Sequence, residues 1–402
     1  MSRVKLGVLN AHLSCYTSFI IKNCKFDNAP VPESGLTVSV QDRIEHPVHV
    51  GSNPIRRVIY RLRQVFLMTF DPYKVPEGTK EFGYVPVVNN LLVEAKVPVG
   101  VVNGVENGPT LAVTGGLYPT EYCGVEAASR LYQLIDPEKL RGRFITIPVM
   151  NMPAFQWRLR WLNLRSTGSS PFDGVGINGV FPGDPEGSLT SRIAYANYQI
   201  LSKADYHVDF RGGDLPESHL VHTIQLRVGE KIDETTEEMA KAFGLEYVLP
   251  GKPDIGHTSP GTMIHTLVAN GVASIISESG LGFRTQPLEE FVEDHVRGTV
   301  NLLKHFNMMD GEPVKPKKQH YLDMEWFGVM APEAGVFEAK ADYGDILSEG
   351  QVIGLIKHLD GSVLAEVKSP IDGVVHTMYP ARLVFNGERL YTLLKIRDAT
   401  GW

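Results

Sequence analysis

Along the chain, short continuous runs of apolar residues alternate with segments in which apolar residues recur every three or four positions. Residues 111–114 form a short apolar run that ends at two glycines, which predicts a buried strand. From Gly124 to Leu134 the apolar residues recur every three or four positions, which predicts an amphipathic helix. The alternation continues with strands predicted at 144–150, 206–210 and 272–276, and helices at 193–201 and 289–306.

This alternation predicts an α/β fold whose mixed, mostly parallel sheet is flanked by helices. Ligands of such sheets bind beyond the carboxyl ends of the strands. Four segments follow predicted strands, namely 118–121, 151–160, 211–214 and the position of Glu278. We expect the functional side chains in these segments.

The two ends of the chain differ from this central pattern. Residues 1–85 carry short β-prone runs at 36–40 and 58–60, which predict an N-terminal β-containing extension. Beyond a Pro- and Lys-rich linker at 312–318, short strands separated by glycines predict a small all-β domain. The predicted domains are therefore 1–85, an α/β catalytic-type domain at 86–312 and a C-terminal β-barrel-like domain at 313–402.

The amino-acid composition limits the kinds of partner that this protein is expected to bind. The 402 residues include 39 Lys and Arg against 46 Asp and Glu, a net charge of −7, whereas a nucleic-acid-binding domain is expected to be basic. No apolar run approaches the ~18 residues of a membrane-spanning helix, and the arginines at 56–63 indicate a solvated face rather than a nucleic-acid or membrane patch.

Three cysteines are too few for a disulfide framework, and we expect reduced thiols, although Cys15 and Cys24 could pair. We predict a cytoplasmic protein that acts on a small molecule and binds neither nucleic acid nor membrane. A homo-oligomer or a partner subunit stays open.

Several motifs occur in a characteristic order. Gly115-Gly-Leu-Tyr-Pro-Thr-Glu121 is followed by Pro148-Val-Met-Asn-Met-Pro-Ala-Phe155, Asn178-Gly-Val-Phe-Pro-Gly183, Asp209-Phe-Arg-Gly-Gly-Asp214 and Ser277-Glu-Ser-Gly280. Together they resemble the succinylglutamate desuccinylase/aspartoacylase family, which is built like the zinc carboxypeptidases. The resemblance covers roughly residues 85–397. It implies a C-terminal barrel of the biotinyl/lipoyl type and the cleavage of an amide bond in a small N-acyl amino acid or a similar molecule.

The resemblance also implies a zinc ion held by two histidines and a glutamate, and this chain departs from that set. Glu121 matches the glutamate ligand, but Tyr118 and Arg211 stand at the two histidine positions. Because a guanidinium stays protonated and has no lone pair to offer, Arg211 cannot bind Zn²⁺. We therefore expect no cofactor, and zinc only through a site unlike the family's, with Glu121, His207 and His219 as candidate ligands. For each histidine, an ordinary hydrogen-bonded role is the alternative.

The resemblance assigns the remaining roles residue by residue. Glu278 matches the family's general base, and Arg160 matches its substrate arginine. We predict Glu278, Arg211 and Tyr118 as catalytic residues, with Arg211 as a fixed cation in the metal's place and Tyr118 as a proton donor or a packing residue. We predict Arg160, Asn178 and Asp214 as substrate-binding residues.

These residues leave three functions open. The first is a divergent amidohydrolase or deacylase that does not use the family's zinc site. The second is a non-catalytic binding or structural subunit. The third is a metal hydrolase whose site has moved.

Overall fold

The computed structural model describes residues 70–89, 94–157, 172–213, 217–254, 256–281, 286–379 and 382–397. The β-prone runs at 36–40 and 58–60, the arginines at 56–63, and Cys15 and Cys24 lie outside these residues.

An α/β part comes first in the described chain. Its strands are β1 (Thr79–Asn89), β2 (Glu94–Asn103), β3 (Glu106–Thr114), β4 (Arg141–Ile147), β5 (Tyr206–Arg211), β6 (Ser218–His219), β7 (His222–Leu226), β8 (Tyr247–Gly251), β9 (Ala273–Glu278) and β10 (His320–Leu322). Its helices are α1 (Tyr122–Leu134), α2 (Met152–Trp157), α3 (Leu189–Leu201), α4 (Ile232–Phe243), α5 (Met263–Ala269) and α6 (Glu289–His305). Each strand and helix predicted between residues 111 and 306 is present, with ends that differ by a few residues.

Antiparallel strands follow in the C-terminal part. They are β11 (Phe327–Met330), β12 (Gly335–Ala339), β13 (Ile346–Leu347), β14 (Val352–Lys357), β15 (Val363–Lys368), β16 (Gly373–Met378), β17 (Leu383–Val384), β18 (Arg389–Leu394) and β19 (Ile396–Arg397).

Ten of the described strands form one mixed sheet in the order β1-β2-β4-β3-β5-β9-β7-β8-β10-β19. Strands β4, β3, β5 and β9 are parallel neighbours, and β7, β8 and β10 form a second parallel group. Strand β7 runs antiparallel to β9, and its first residue, His222, pairs with Glu278 at the end of β9. The predicted mixed, mostly parallel sheet is confirmed.

Helix α1 shows why the helices pack closely on this sheet. Its buried residues include Gly124, Ala128 and Leu131, which lie on one face at helical spacing. A Cβ on Gly124 would lie 2.8 Å from the backbone oxygen of Phe210 in β5, so only glycine permits this approach. Burial of a side chain such as Leu131 stabilises the fold by roughly 1.5–3 kcal/mol.

The C-terminal strands form two further sheets, β11-β18-β16-β13 and β15-β14-β12-β17. The two-residue strand β6 leaves the α/β part and pairs with β16, so that His219 lies opposite Thr377. An apolar cluster that includes Leu220, Ile276 and Val374 also joins the two parts. The predicted domain limits stay a prediction, and β1 runs across residue 85 to pair with β2.

Candidate active site

Adjacent parallel strands bring the predicted site residues to one edge of the sheet. Thr114 at the end of β3 pairs with Asp209 in β5, and Arg211 at the end of β5 pairs with Glu278 at the end of β9. Gly212 follows Arg211 with a φ of +142°, and a Cβ there would lie 2.3 Å from the carbonyl carbon of Ser279. Glycine is therefore required for the chain to leave β5 beside the end of β9.

Arg211 is a buried cation with three side-chain partners. The residue is 1% exposed. Its Nε donates to Asp209 Oδ2 at 2.5 Å, its Nη1 to His257 Nδ1 at 2.9 Å and its Nη2 to Asn178 Oδ1 at 3.3 Å. Although desolvation opposes the charge, Asp209, Tyr118, Glu121 and Glu278 together raise the pKa of Arg211 above its already high ordinary value. The guanidinium is therefore charged at every working pH.

Asp209 is fixed from its other side by a chain of neutral groups. Thr114 Oγ1 donates to Asp209 Oδ1 at 2.9 Å and lies 3.0 Å from His207 Nε2, while His207 Nδ1 lies 2.7 Å from Ser274 Oγ. Because the Thr114 hydroxyl gives its proton to Asp209, His207 Nε2 is the donor to Thr114 and Nδ1 accepts from Ser274. Desolvation lowers the pKa of His207 to about 4, which keeps the ring neutral. Both ring nitrogens are therefore engaged in holding Asp209 in place.

His257 connects Arg211 to the surface of a pocket. The residue is exposed to that pocket, although many protein atoms surround it, and desolvation followed by the Arg211 charge lowers its pKa to about 3. The hydrogen bond alone leads to the same conclusion, since a guanidinium only donates and Nδ1 must accept. In the neutral ring, the proton therefore lies on Nε2.

Tyr118, Glu121 and Asn178 pack around the same guanidinium. The ring centre of Tyr118 lies 5.7 Å from Cζ of Arg211, within the range of a cation–π contact. Glu121 is 3% exposed, and its Oε2 accepts from the backbone N–H of Tyr118 at 3.2 Å. Asn178 Oδ1 also accepts from the backbone N–H of Met263 at 3.3 Å. All three residues therefore lie around Arg211.

A cavity of about 330 Å³ lies beside this cluster, between the α/β part and the C-terminal sheets. Its walls carry several chemically active side chains: Glu217, His219, His222, His257, Glu278, Trp326, His376, Thr377, Tyr379, Arg389 and Thr392. Glu278 is 6% exposed. Desolvation raises its pKa, which His219 and Arg211 lower in part. A carboxyl group with a raised pKa at the wall of a pocket is typical of an acid–base residue.

The walls of this cavity include one of the predicted catalytic residues and several side chains that were not predicted as site residues. Of the three predicted catalytic residues only Glu278 belongs to the walls of this cavity as the described residues form them, whereas the buried Arg211 and the half-buried Tyr118 do not. His376, Thr377 and Arg389 also line the cavity, and no motif in the sequence indicates them; His257, an ordinary hydrogen-bonded histidine by its sequence context, lies there as well. Arg160 and Asp214 lie outside the described residues.

Comparisons with known proteins agree with this architecture. The succinylglutamate desuccinylase/aspartoacylase catalytic domain matches residues 107–285. A protein of this architecture from Rhodobacter sphaeroides, described as a succinylglutamate desuccinylase/aspartoacylase, has a crystal structure with a TM-score of 0.68. It is 26% identical, and the match covers 81% of this chain and 98% of that one. Residues 107–285 of this chain are therefore similar to the catalytic domain of the succinylglutamate desuccinylase/aspartoacylase family.

Two further relatives extend the comparison. The N-alpha-acetyl-L-2,4-diaminobutyric acid deacetylase of Halomonas elongata is 29% identical over 317 residues, which cover 76% of this chain and 87% of that protein. The product-bound ectoine utilization protein of Ruegeria pomeroyi has the same fold, with a TM-score of 0.69 and 23% identity over 80% of this chain and 98% of that one. The family's named members are deacylating enzymes that cleave C–N bonds, which agrees with the expectation of an enzyme.

The residues at the family's zinc position do not fit the metal. The resemblance places Arg211 at that position, and Arg211 is a cation whose Nε, Nη1 and Nη2 all donate to neighbouring side chains. Both ring nitrogens of His207 and of His219 have hydrogen-bond partners as well. Across the described ranges, no group of three or more His, Cys, Asp or Glu residues is arranged to hold a metal ion. None of the described helices is long and apolar enough to cross a membrane.

Proposed function

We propose that this chain is a deacylase that hydrolyses the amide bond of a small N-acyl amino acid with Arg211 in place of the family's zinc. The observation that carries the proposal is the buried Arg211 cation, hydrogen-bonded to His257 at the pocket wall. The deacetylase relative supports the reaction type, and its substrate, N-alpha-acetyl-L-2,4-diaminobutyric acid, is the first compound to test.

Arg211 acts through His257 in this proposal. The guanidinium is too deeply buried to touch a molecule in the cavity, but its hydrogen bond fixes the tautomer and orientation of the imidazole. The protonated Nε2 of His257 is then a donor for the carbonyl oxygen of the amide, where negative charge develops during attack by water. A prearranged donor of this kind is worth about 10²–10³ in turnover. Arg211 and Asp209 are positioning residues, and Tyr118 packs against the guanidinium.

Glu278 is the general base of the reaction. Its carboxylate takes a proton from water as the water oxygen forms a bond to the carbonyl carbon. Desolvation raises the pKa of Glu278, which makes the carboxylate more basic. The positive charge of the nearby Arg211 lowers the pKa of Glu278 in part, which favours the carboxylate.

Arg389 binds the carboxylate of the substrate. It lies on β18 at the cavity wall, with its guanidinium 6.0 Å from the ring centre of Tyr379. A guanidinium binds a carboxylate through two parallel hydrogen bonds, which gives orientation as well as affinity. Glu217 and Glu278 at the α/β wall supply negative charge, so that the cavity can accept a substrate with charges of both signs.

Product analysis tests this function. The purified chain is incubated with N-alpha-acetyl-L-2,4-diaminobutyric acid and other N-acetyl amino acids, and released acetate is measured. We expect turnover by the wild type, loss of turnover in Glu278→Gln and no effect of Glu366→Gln, a carboxylate on an exposed strand of the C-terminal part. Full activity of Glu278→Gln would exclude Glu278 as the base.

A binding protein is the second candidate, because the metal position is filled by a cation that cannot activate water. If this function is correct, an N-acyl amino acid raises the melting temperature without being hydrolysed. Ligand at 100 times its Kd stabilises a protein by about 2.7 kcal/mol. Thermal shift and acetate release on the same samples separate the two candidates.

A further inference from the structure

Three histidines and a threonine form a continuous hydrogen-bonded chain along one wall of the cavity. His219 Nε2 lies 2.8 Å from Glu217 Oε2, and His219 Nδ1 lies 3.2 Å from Thr377 Oγ1. Thr377 Oγ1 lies 2.8 Å from His376 Nδ1, and His376 Nε2 lies 3.4 Å from His222 Nε2. The chain ends at the backbone oxygen of Leu220, 2.7 Å from His222 Nδ1.

The two ends of this hydrogen-bonded chain determine which group donates and which accepts at each of its hydrogen bonds. A carbonyl oxygen only accepts, so His222 Nδ1 is protonated, and in a neutral ring its Nε2 accepts from His376 Nε2. His376 Nδ1 then accepts from the Thr377 hydroxyl, whose oxygen accepts from His219 Nδ1. At the other end, His219 Nε2 shares a proton with Glu217. His219 and Glu217 therefore hold one proton more than a neutral ring and a carboxylate would.

If every shared proton between His219 and His222 were donated in the opposite direction, the extra proton and its charge would lie on His222. Desolvation lowers the pKa of His222 to about 4 and that of His376 well below its ordinary value, so both rings stay neutral. His219 is less enclosed, with 15% of its side chain exposed, and it has a carboxylate partner. The extra proton is therefore at the pocket end of the chain.

We propose that the His219–Glu217 pair delivers a proton to the departing amine, and that Thr377, His376 and His222 are positioning residues that keep this proton at the pocket end. The proposal rests on the proposed function and adds the general acid to it. It also gives the C-terminal part a role in the reaction, because Thr377 and His376 belong to β16.

The proposed reaction consists of attack by water, release of the amine and return of a proton. Glu278 accepts a proton from water while the C–O bond forms, which gives a tetrahedral intermediate. The C–N bond then breaks, its electron pair goes to nitrogen, and nitrogen takes the proton of the His219–Glu217 pair. The products are a carboxylic acid and a neutral amine. The proton on Glu278 returns through water to the His219–Glu217 pair.

Several groups set the charge of this pair. The negative charge of Glu278 favours the protonated form of the pair, whereas the positive charges of Arg211 and Arg389 oppose it. The neutral rings of His222, His257 and His376 complete the wall. The pH dependence of the acid therefore belongs to this group of side chains together, and each variant is measured across a full pH profile.

Thr377→Val tests the positioning role, and a neighbouring threonine provides a matched control. Thr392 pairs with Thr377 across β16 and β18 and lines the same cavity, but its buried Oγ1 has no hydrogen-bond partner among the described residues. We expect Thr377→Val to lower kcat on the N-acyl amino acid and to shift the acidic arm of the pH profile. Thr377→Ser should restore both, and Thr392→Val should change neither.

Substrates with different leaving groups distinguish this proposal from the proposed function. The phenolate of p-nitrophenyl acetate leaves without a proton, whereas the amine of an amide requires one. We expect His219→Gln to lower amide turnover about 10²-fold or more and to leave ester turnover unchanged, while Glu278→Gln lowers both. Equal losses on both substrates in His219→Gln would overturn the acid role and leave the base intact. Full activity of Glu278→Gln would instead overturn the proposed function.

Histidine ¹⁵N NMR provides a readout that needs no activity. We expect the His219 ring, identified as the signal that is absent from His219→Gln, to be protonated on both nitrogens at neutral pH in the wild type. In Thr377→Val that ring should lose its fixed protonation state, while Thr392→Val should match the wild type. A neutral His219 in the wild-type spectrum at neutral pH, with no proton shared with Glu217, would overturn the proposal.

Discussion

Nη1 of Arg211 donates a hydrogen bond to Nδ1 of His257 across 2.9 Å, so that a fully enclosed cation is connected to a side chain at the cavity wall. This contact explains how a buried residue that is not part of the wall can influence the chemistry in the cavity. It also sets the neutral, Nε2-protonated form of His257.

Removal of the Arg211 charge is expected to destabilise the fold. Arg211→Ala leaves Asp209, which is 0% exposed, as an uncompensated buried carboxylate. Loss of one partner of a buried ion pair costs about 3–5 kcal/mol in the free energy of unfolding. Urea unfolding of the variant measures this loss.

Arg130→Ala is the matched control for that prediction. Arg130 contacts Glu126, Glu289 and Glu293, but these ion pairs lie at the surface. Loss of surface pairs costs about 1 kcal/mol or less. If Arg211→Ala and Arg130→Ala lose the same small amount, Arg211 is not the buried counter-charge that the structure indicates.

His207 is expected to make the stability depend on pH. Desolvation lowers its pKa to about 4 in the folded chain, against about 6.5 when unfolded. Between these values the unfolded chain binds a proton that the folded chain does not, so the free energy of unfolding falls as the pH falls from about 6.5 to about 4. The slope due to this residue is at most about 1.4 kcal/mol per pH unit.

The comparison of wild type with His207→Asn isolates that contribution. Unfolding curves at several pH values should show a shallower slope for the variant below pH ~6.5, and no difference in slope above it. Identical slopes throughout the acidic range would show that His207 titrates normally in the folded protein.

Arg389 is expected to determine affinity for the substrate carboxylate. Arg389→Gln removes a charge-assisted hydrogen bond worth about 1.5–3 kcal/mol, so KM should rise about 10-fold or more while kcat changes little. Arg397→Gln, on the exposed edge strand β19, is the control and should leave KM unchanged. A substrate that lacks the carboxylate, such as N-acetyl-1,3-diaminopropane, should show the same KM with both variants. A rise in KM for that compound in Arg389→Gln would contradict the assigned contact.

The sequence predicts the sheet and one edge of the site well, for a simple physical reason. Apolar runs and helical spacing mark the buried strands and helices, and parallel strands place their carboxyl ends together. Tyr118, Glu121, Arg211 and Glu278 therefore lie close together in the structure.

The cavity wall depends on contacts that leave no local pattern. His257 reaches Arg211 from a loop 46 residues further along the chain. Thr377 meets His219 only because the two-residue strand β6 pairs with a strand of the C-terminal sheet. Strand β7 begins at His222, and the break between β6 and β7 lets His219 and His222 line the same cavity.

The turnover of the metal-free protein tests most directly whether Arg211 takes the place of zinc. The protein is dialysed against a chelator, its zinc content is measured, and acetate release from N-alpha-acetyl-L-2,4-diaminobutyric acid is followed with and without added zinc. The account predicts the same turnover in both samples and none in Glu278→Gln. Activity that appears only on addition of zinc, in proportion to the zinc bound, would contradict the assignment of Arg211 to the metal's place.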